Sequence, residues 1–144
     1  MRKRMFIALL SVIAGYSALY LHLYKLGRVG SLSCTGSGCD RAIFSRWGWF
    51  LGVDVALIGL IGYALILTAT LVSLQPGLAA RRWPVTLLFA LAVGGFLFTL
   101  RLKYAEFLIL HTFCPWCAIS AVSITIITVL SWLEWRASRR IDSA

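Results

Sequence analysis

The chain has 144 residues, of which 60% are hydrophobic and only 13% charged, and its mean hydropathy is +0.88. A soluble domain is about half apolar and about a quarter charged, and one small core cannot hide the surplus. Disorder, a soluble enzyme and a small secreted disulfide scaffold are therefore excluded, which leaves an integral membrane protein. The net charge is +9, from 14 Lys and Arg against 5 Asp and Glu. In a soluble protein this excess would suggest nucleic acid. Here the basic residues flank apolar runs, so they report topology and anionic headgroups, and no soluble domain exists to carry a basic face.

Four apolar runs follow in chain order. The first, Met5 to Tyr24, is interrupted by Ser11, Ser17 and His22. The second, Leu51 to Leu74, has Asp54 near its start. The third, from Pro84 to about Leu110, carries Arg101, Lys103 and Glu106, and the fourth runs from Pro115 to Leu133. About 20 apolar residues cross the hydrocarbon layer as a helix, and only a helix pairs its own backbone there. The expected fold is an all-α integral membrane protein, a single four-transmembrane-helix bundle with helices at about 5–24, 51–74, 84–110 and 115–133. The first run is longer than a signal-peptide core and lacks a clean cleavage site, so it reads as a retained helix.

Charge sets the orientation. With the N-terminus inside, eight basic residues lie on the cytoplasmic side (Arg2, Lys3, Arg4, Arg81, Arg82, Arg136, Arg139, Arg140) and four in the outer loop (Lys25, Arg28, Arg41, Arg46). This bias predicts cytoplasmic termini. The outer loop spans residues 25–50. Its first half is rich in Gly and Ser. Its second half, Asp40 to Phe50, is expected to form a short interfacial helix capped by Asp40, with Phe44, Trp47, Trp49 and Phe50 as a greasy lid. A plain aromatic anchor before the second helix is the alternative.

The cysteines carry the chemistry. Cys34, Cys39, Cys114 and Cys117 all map to the outer, oxidising side. Thr35-Gly36-Ser37-Gly38 is a linker that lets the sulfurs of Cys34 and Cys39 meet. Cys114-Pro115-Trp116-Cys117 is a C-x-x-C motif opening the fourth helix, with Pro at its first position and Cys114 at its positive end, where a thiolate is stabilised. Cys117 shares its face and lies about 4.5 Å deeper. Cys114 is thus placed to meet a loop thiol and Cys117 a lipid-soluble acceptor. Two such pairs make a relay from a soluble dithiol, through Cys34 and Cys39, to Cys114 and Cys117, and on to a quinone, each protein step being thiolate attack on a disulfide. Inert disulfide staples and a four-Cys zinc site are the competing readings, as is a disulfide-stabilised scaffold or small transporter without catalysis.

Charged residues inside a membrane run are costly and often functional. Lys103 and Glu106, three apart, are able to pair. They either line a quinone cavity with Arg101 or mark the outer end of a helix that stops near Leu100. His111, three residues before Cys114, reads as an interfacial side chain or as a local base, and His22 is a weaker candidate. Gly94-Gly95 and Ser120, Ser123, Thr125 and Thr128 read as helix packing.

These residues resemble the vitamin K epoxide reductase (VKOR) family over roughly residues 5 to 135. The features that carry the likeness are the loop pair Cys34 and Cys39, then Phe44-Ser45-Arg46-Trp47-Gly48, then Gly59 to Tyr63, then Phe113-Cys114-Pro115-Trp116-Cys117. The loop pair precedes the C-x-x-C; the DsbB family reverses that order. The resemblance implies a bacterial-type member without a fused thioredoxin-like domain. It also implies a four-helix bundle around a quinone (ubiquinone, menaquinone or vitamin K type), and a separate thioredoxin-fold partner. The implied site is in the bacterial plasma membrane with the cysteines on the extracytoplasmic side. It implies that Cys34 exchanges with the partner, Cys39 with Cys114, and that Cys117 meets the quinone. The implied quinone contacts are Phe44, Ser45, Trp47, Asp54, Val55 and Ala121. Val55 and Ala121 stand where vertebrate enzymes place an Asn and a Tyr against vitamin K. That departure favours an ordinary respiratory quinone over epoxide reduction.

Overall fold

The computed structural model describes residues 2–28, 46, 49–109, 111 and 115–143, the last three of these without side chains. Helix α1 spans Arg2–Lys25, α2 Val55–Leu74, α3 Trp83–Tyr104 and α4 Pro115–Ser143. All four are long and apolar enough to cross a membrane, and the protein is a multi-pass membrane protein. Large apolar side chains such as Phe6, Leu9, Leu65, Leu97 and Val122 point outward from every helix, as a lipid solvent permits.

The core is made of small and branched residues. Ile7, Ala14, Tyr63, Ile66, Ala69, Leu88, Ala92, Ile124 and Ile127 form one buried cluster to which every helix contributes. Helices in lipid associate through close packing of small residues rather than through a hydrophobic drive. Here a Cβ at Gly15 would sit 3.6 Å from that of Tyr63, and one at Gly59 would sit 3.8 Å from that of Ala18. On the other side, Gly95 lets α3 approach Ile124 of α4, and Thr128 donates to the Ala92 carbonyl at 3.2 Å. At the end bearing the termini, Arg4 donates to Glu134 at 3.0 Å and to the Ser73 carbonyl at 2.5 Å, tying α1 to α4 and α2.

Three boundaries differ from the sequence expectation. The second helix starts at Val55 rather than Leu51, because β1 (Trp49–Phe50) and β2 (Val53–Asp54) form an antiparallel hairpin first. Its two turn residues, Leu51 and Gly52, both have positive φ, 52° and 80°, as a two-residue turn of the hairpin type requires. Trp49 and Phe50 are therefore strand, not the end of a short interfacial helix; the rest of that expected helix lies outside the described residues. The third helix does not stop near Leu100 but continues to Tyr104 and then loosens into a π-helical turn, Ala105–Ile109. The fourth extends to Ser143 rather than Leu133, because polar residues at its exposed end keep a helical period beyond the membrane.

Candidate functional site

The bundle opens between its helices into a cavity of about 470 Å³ at the end opposite the termini. Cys117 and Trp116 reach it from the first turn of α4, and Asp54 and Val55 from the start of α2. Trp116 is set by a tilted contact with Tyr20 of α1, ring centroids 4.8 Å apart. Of the other sequence candidates, Ala121 is absent from the cavity wall; a turn of α4 presents Ser120 and Ile124 there instead. Cys34, Cys39, Phe44, Ser45, Trp47 and Cys114 lie outside the described residues.

Asp54 does more than sit at an interface. Its backbone is extended, and its side chain caps α2 by accepting from the Ala56 N–H at 3.1 Å. Lys25 donates to Oδ1 at 2.8 Å, and His22 Nδ1 lies 2.6 Å from Oδ2. His22 and Lys25 are three apart on the last turn of α1, so they share the face that meets α2. The Lys25 side chain is 4% exposed and that of Asp54 6%. Burial alone would raise the Asp54 carboxyl pKa. The His22 and Lys25 hydrogen bonds, the Ala56 N–H and the Lys25 charge together outweigh it and hold the group below its ordinary value. The Lys25 ammonium also lies 4.2 Å above the Trp49 ring. Phe50, next to Trp49, meets Phe98 edge-on at 5.6 Å and receives the Arg101 guanidinium at 5.1 Å. The hairpin thus joins α1 to α3 over one end of the cavity, and Arg101 serves the hairpin rather than the cavity wall.

Two more polar groups face the same space. Lys103 donates to Glu106 at 2.7 Å, Glu106 is buried in the π-helical turn, and both line the cavity. Such turns re-aim side chains and recur at functional sites. Tyr63 donates to the Ser120 carbonyl at 3.0 Å and lies 2.7 Å from its hydroxyl, bridging α2 to α4. Further from Cys117 the wall is apolar, with Ile66, Leu91 and Ile124. Gly62 and Gly94 also line it, and a Cβ at either would meet nothing within 4 Å.

Sequence reasoning set aside His22, did not single out Lys25 as a site residue, and read Ser120 and Gly94 as packing. The signal for the first two was their three-residue spacing opposite the only carboxylate of the second run. The other two carry no local signal, since their role depends on which face of the bundle stays open.

Residues 5–132 match the model of the vitamin K epoxide reductase family. The chain belongs to that family. Membership makes it a membrane redox enzyme of the disulfide and quinone type, and the VKOR match takes in the hairpin, α2 and α3 whole and most of α1 and α4.

Proposed function

We propose that this VKOR-family chain is a quinone-linked thiol oxidoreductase that supports disulfide formation, taking electrons from a separate thioredoxin-fold protein. The observation that supports it best is Cys117, the inner cysteine of the C-x-x-C, on the wall of an apolar cavity inside a membrane bundle. The volume falls in the range of small-molecule sites, and the wall suits an amphipathic ring with a long apolar tail. Its polar groups gather near Cys117, while Gly62, Gly94, Ile66 and Leu91 leave an apolar slot for the tail. A quinone bound there supplies a two-electron, two-proton acceptor.

The steps balance. The partner dithiol reduces a Cys34–Cys39 disulfide and is itself oxidised. The resulting dithiol reduces a Cys114–Cys117 disulfide. The Cys114–Cys117 dithiol then closes again and passes two electrons and two protons to the quinone. Lys25 and Lys103, each paired with a buried carboxylate on the same wall, would offer N–H donors to the ring oxygens of a bound quinone rather than net positive charge. Tyr63 and Ser120 supply hydroxyls to hold the head group. Val55 is apolar on that wall and Ala121 is off it, so neither grips an epoxide, which favours a respiratory quinone. The bundle is read with both termini cytoplasmic and the cavity mouth extracytoplasmic, following the excess of basic residues at the termini.

Removing the last cysteine tests the relay. Cys117→Ala is expected to leave Cys114 without its partner and to accumulate a Cys39–Cys114 disulfide, identified by mass spectrometry of non-reduced peptides. A Cys117→Ala protein that holds no such disulfide, yet still oxidises the partner, would contradict the proposed path.

A further inference from the structure

The family match ends at residue 132, but α4 continues to Ser143, and that continuation carries a surface of its own. Trp132, Trp135, Arg136, Arg139 and Arg140 line an open groove on the surface of that helix. Spacings of three residues (132 to 135, 136 to 139) and four (132 to 136, 135 to 139, 136 to 140) gather them on one side of the helix.

The side chains are held in place. Trp135 stacks on Phe89 of α3, with centroids 5.2 Å apart and planes at 16°. The Arg139 guanidinium lies 4.9 Å from the Trp135 ring, and that of Arg136 lies 4.8 Å from Trp132. Glu134, beside Trp135, is drawn instead to Arg4 of α1, which also pins this stretch of helix to the bundle. Toward the membrane centre the same helix exposes Val129, Ile126 and Val122, an apolar stripe leading away from the arginines.

The geometry points to a binding site for an anionic phospholipid, its phosphate held by Arg136, Arg139 and Arg140 and its acyl chains lying along Val129, Ile126 and Val122. Guanidinium forks match phosphate oxygens, and aromatic faces that already fix two of them reduce the freedom lost on binding. The apolar stripe and the exposed Trp132 choose a lipid over free phosphate or nucleic acid, neither of which has a chain to cover them. The site shares no residue with the redox cavity and does not depend on the proposed reaction.

The test uses the full chain in nanodiscs of phosphatidylcholine with a minor fraction of phosphatidylglycerol, followed by native mass spectrometry of the lipid retained. Each basic residue near an anionic surface is worth about fivefold. The triple variant Arg136→Gln, Arg139→Gln, Arg140→Gln should therefore retain on the order of a hundredfold less phosphatidylglycerol. Arg81→Gln with Arg82→Gln removes charge from the same membrane surface at the α2–α3 connection, outside the aromatic groove, and should cost markedly less retention per arginine than the triple variant. Thermal unfolding in pure phosphatidylcholine checks that the triple variant is folded; if it is not, Arg139→Gln alone should show about a fivefold loss. Equal retention by the wild type and the folded arginine variant would overturn the site. So would stabilisation by inorganic phosphate as large as that by the lipid, which would make the ligand a free anion.

Discussion

Asp54 concentrates more of the site than any other described residue. It caps α2, pairs with Lys25 and His22, and lines the cavity. Asp54→Ala removes a cap worth about 1 kcal/mol and leaves a buried ammonium without its carboxylate, a loss of about 3 kcal/mol or more. Thermal unfolding in detergent should fall accordingly, and a shift no larger than a cap alone would show that Lys25 finds another partner. The pH dependence has a definite sign. Because the folded carboxyl sits below its ordinary 3.8, the unfolded chain binds more protons in acid. The contribution is whole above about pH 3.8 and is lost as pH falls through the lower, folded value. The stability gap between wild type and Asp54→Asn should thus stay constant from about pH 7 to 5 and close only in stronger acid. A gap that closes between pH 7 and 5 would reverse the assignment.

At the scale of elements, the hairpin and the cavity helices carry distinct costs. Leu51 adopts φ 52° while 88% exposed, a conformation that costs a branched side chain about 1 kcal/mol and that Asn adopts more readily. Leu51→Asn should stabilise the hairpin by about that amount, read as slower amide exchange at Phe50 and Val53; unchanged or faster exchange would contradict the turn. Gly94 has open space where a side chain would begin. Gly94→Leu should therefore keep the fold, gaining up to about 1 kcal/mol of helix propensity, while filling the slot proposed for the tail. Quinone affinity, followed by quenching of tryptophan emission, should drop at least about tenfold, or about 1.4 kcal/mol, with helicity unchanged. Full affinity in that variant would place the tail elsewhere. The Lys103–Glu106 pair makes its own forecast. Glu106→Leu alone leaves the half-buried Lys103 without its carboxylate, whereas adding Lys103→Met removes the charge, so the double variant should be the more stable by about 1 kcal/mol.

Across the whole molecule, what the sequence made legible follows from what the membrane demands. Four spans had to be apolar for about 20 residues each, so their existence was plain; the three-residue spacing of Lys103 and Glu106 allowed their pairing without deciding it against a shorter third helix. The start of α2 was hidden because Leu51 and Val53 are as apolar as the helix they precede; only Gly52 and Asp54 marked a turn and a cap. The length of α4 was hidden for the opposite reason, since a hydropathy run ends at the membrane surface and a helix need not. The open face of the bundle, and with it the parts of Tyr63, Ser120, Gly62 and Gly94, depends on how four helices pack, which no single stretch of sequence records. The family match and the cysteine pattern agree on redox chemistry, and the cavity supplies the place for an electron acceptor beside Cys117.

The most direct test of that account is anaerobic quinol formation by the purified protein in nanodiscs. A reduced thioredoxin-fold protein supplies electrons, ultraviolet absorbance reports quinol, and Cys117→Ala runs alongside. The wild type should turn over, and the variant should lose at least about 1,000-fold, as when a residue that acts as part of a catalytic unit is removed. Equal quinol formation by the two proteins would contradict the relay.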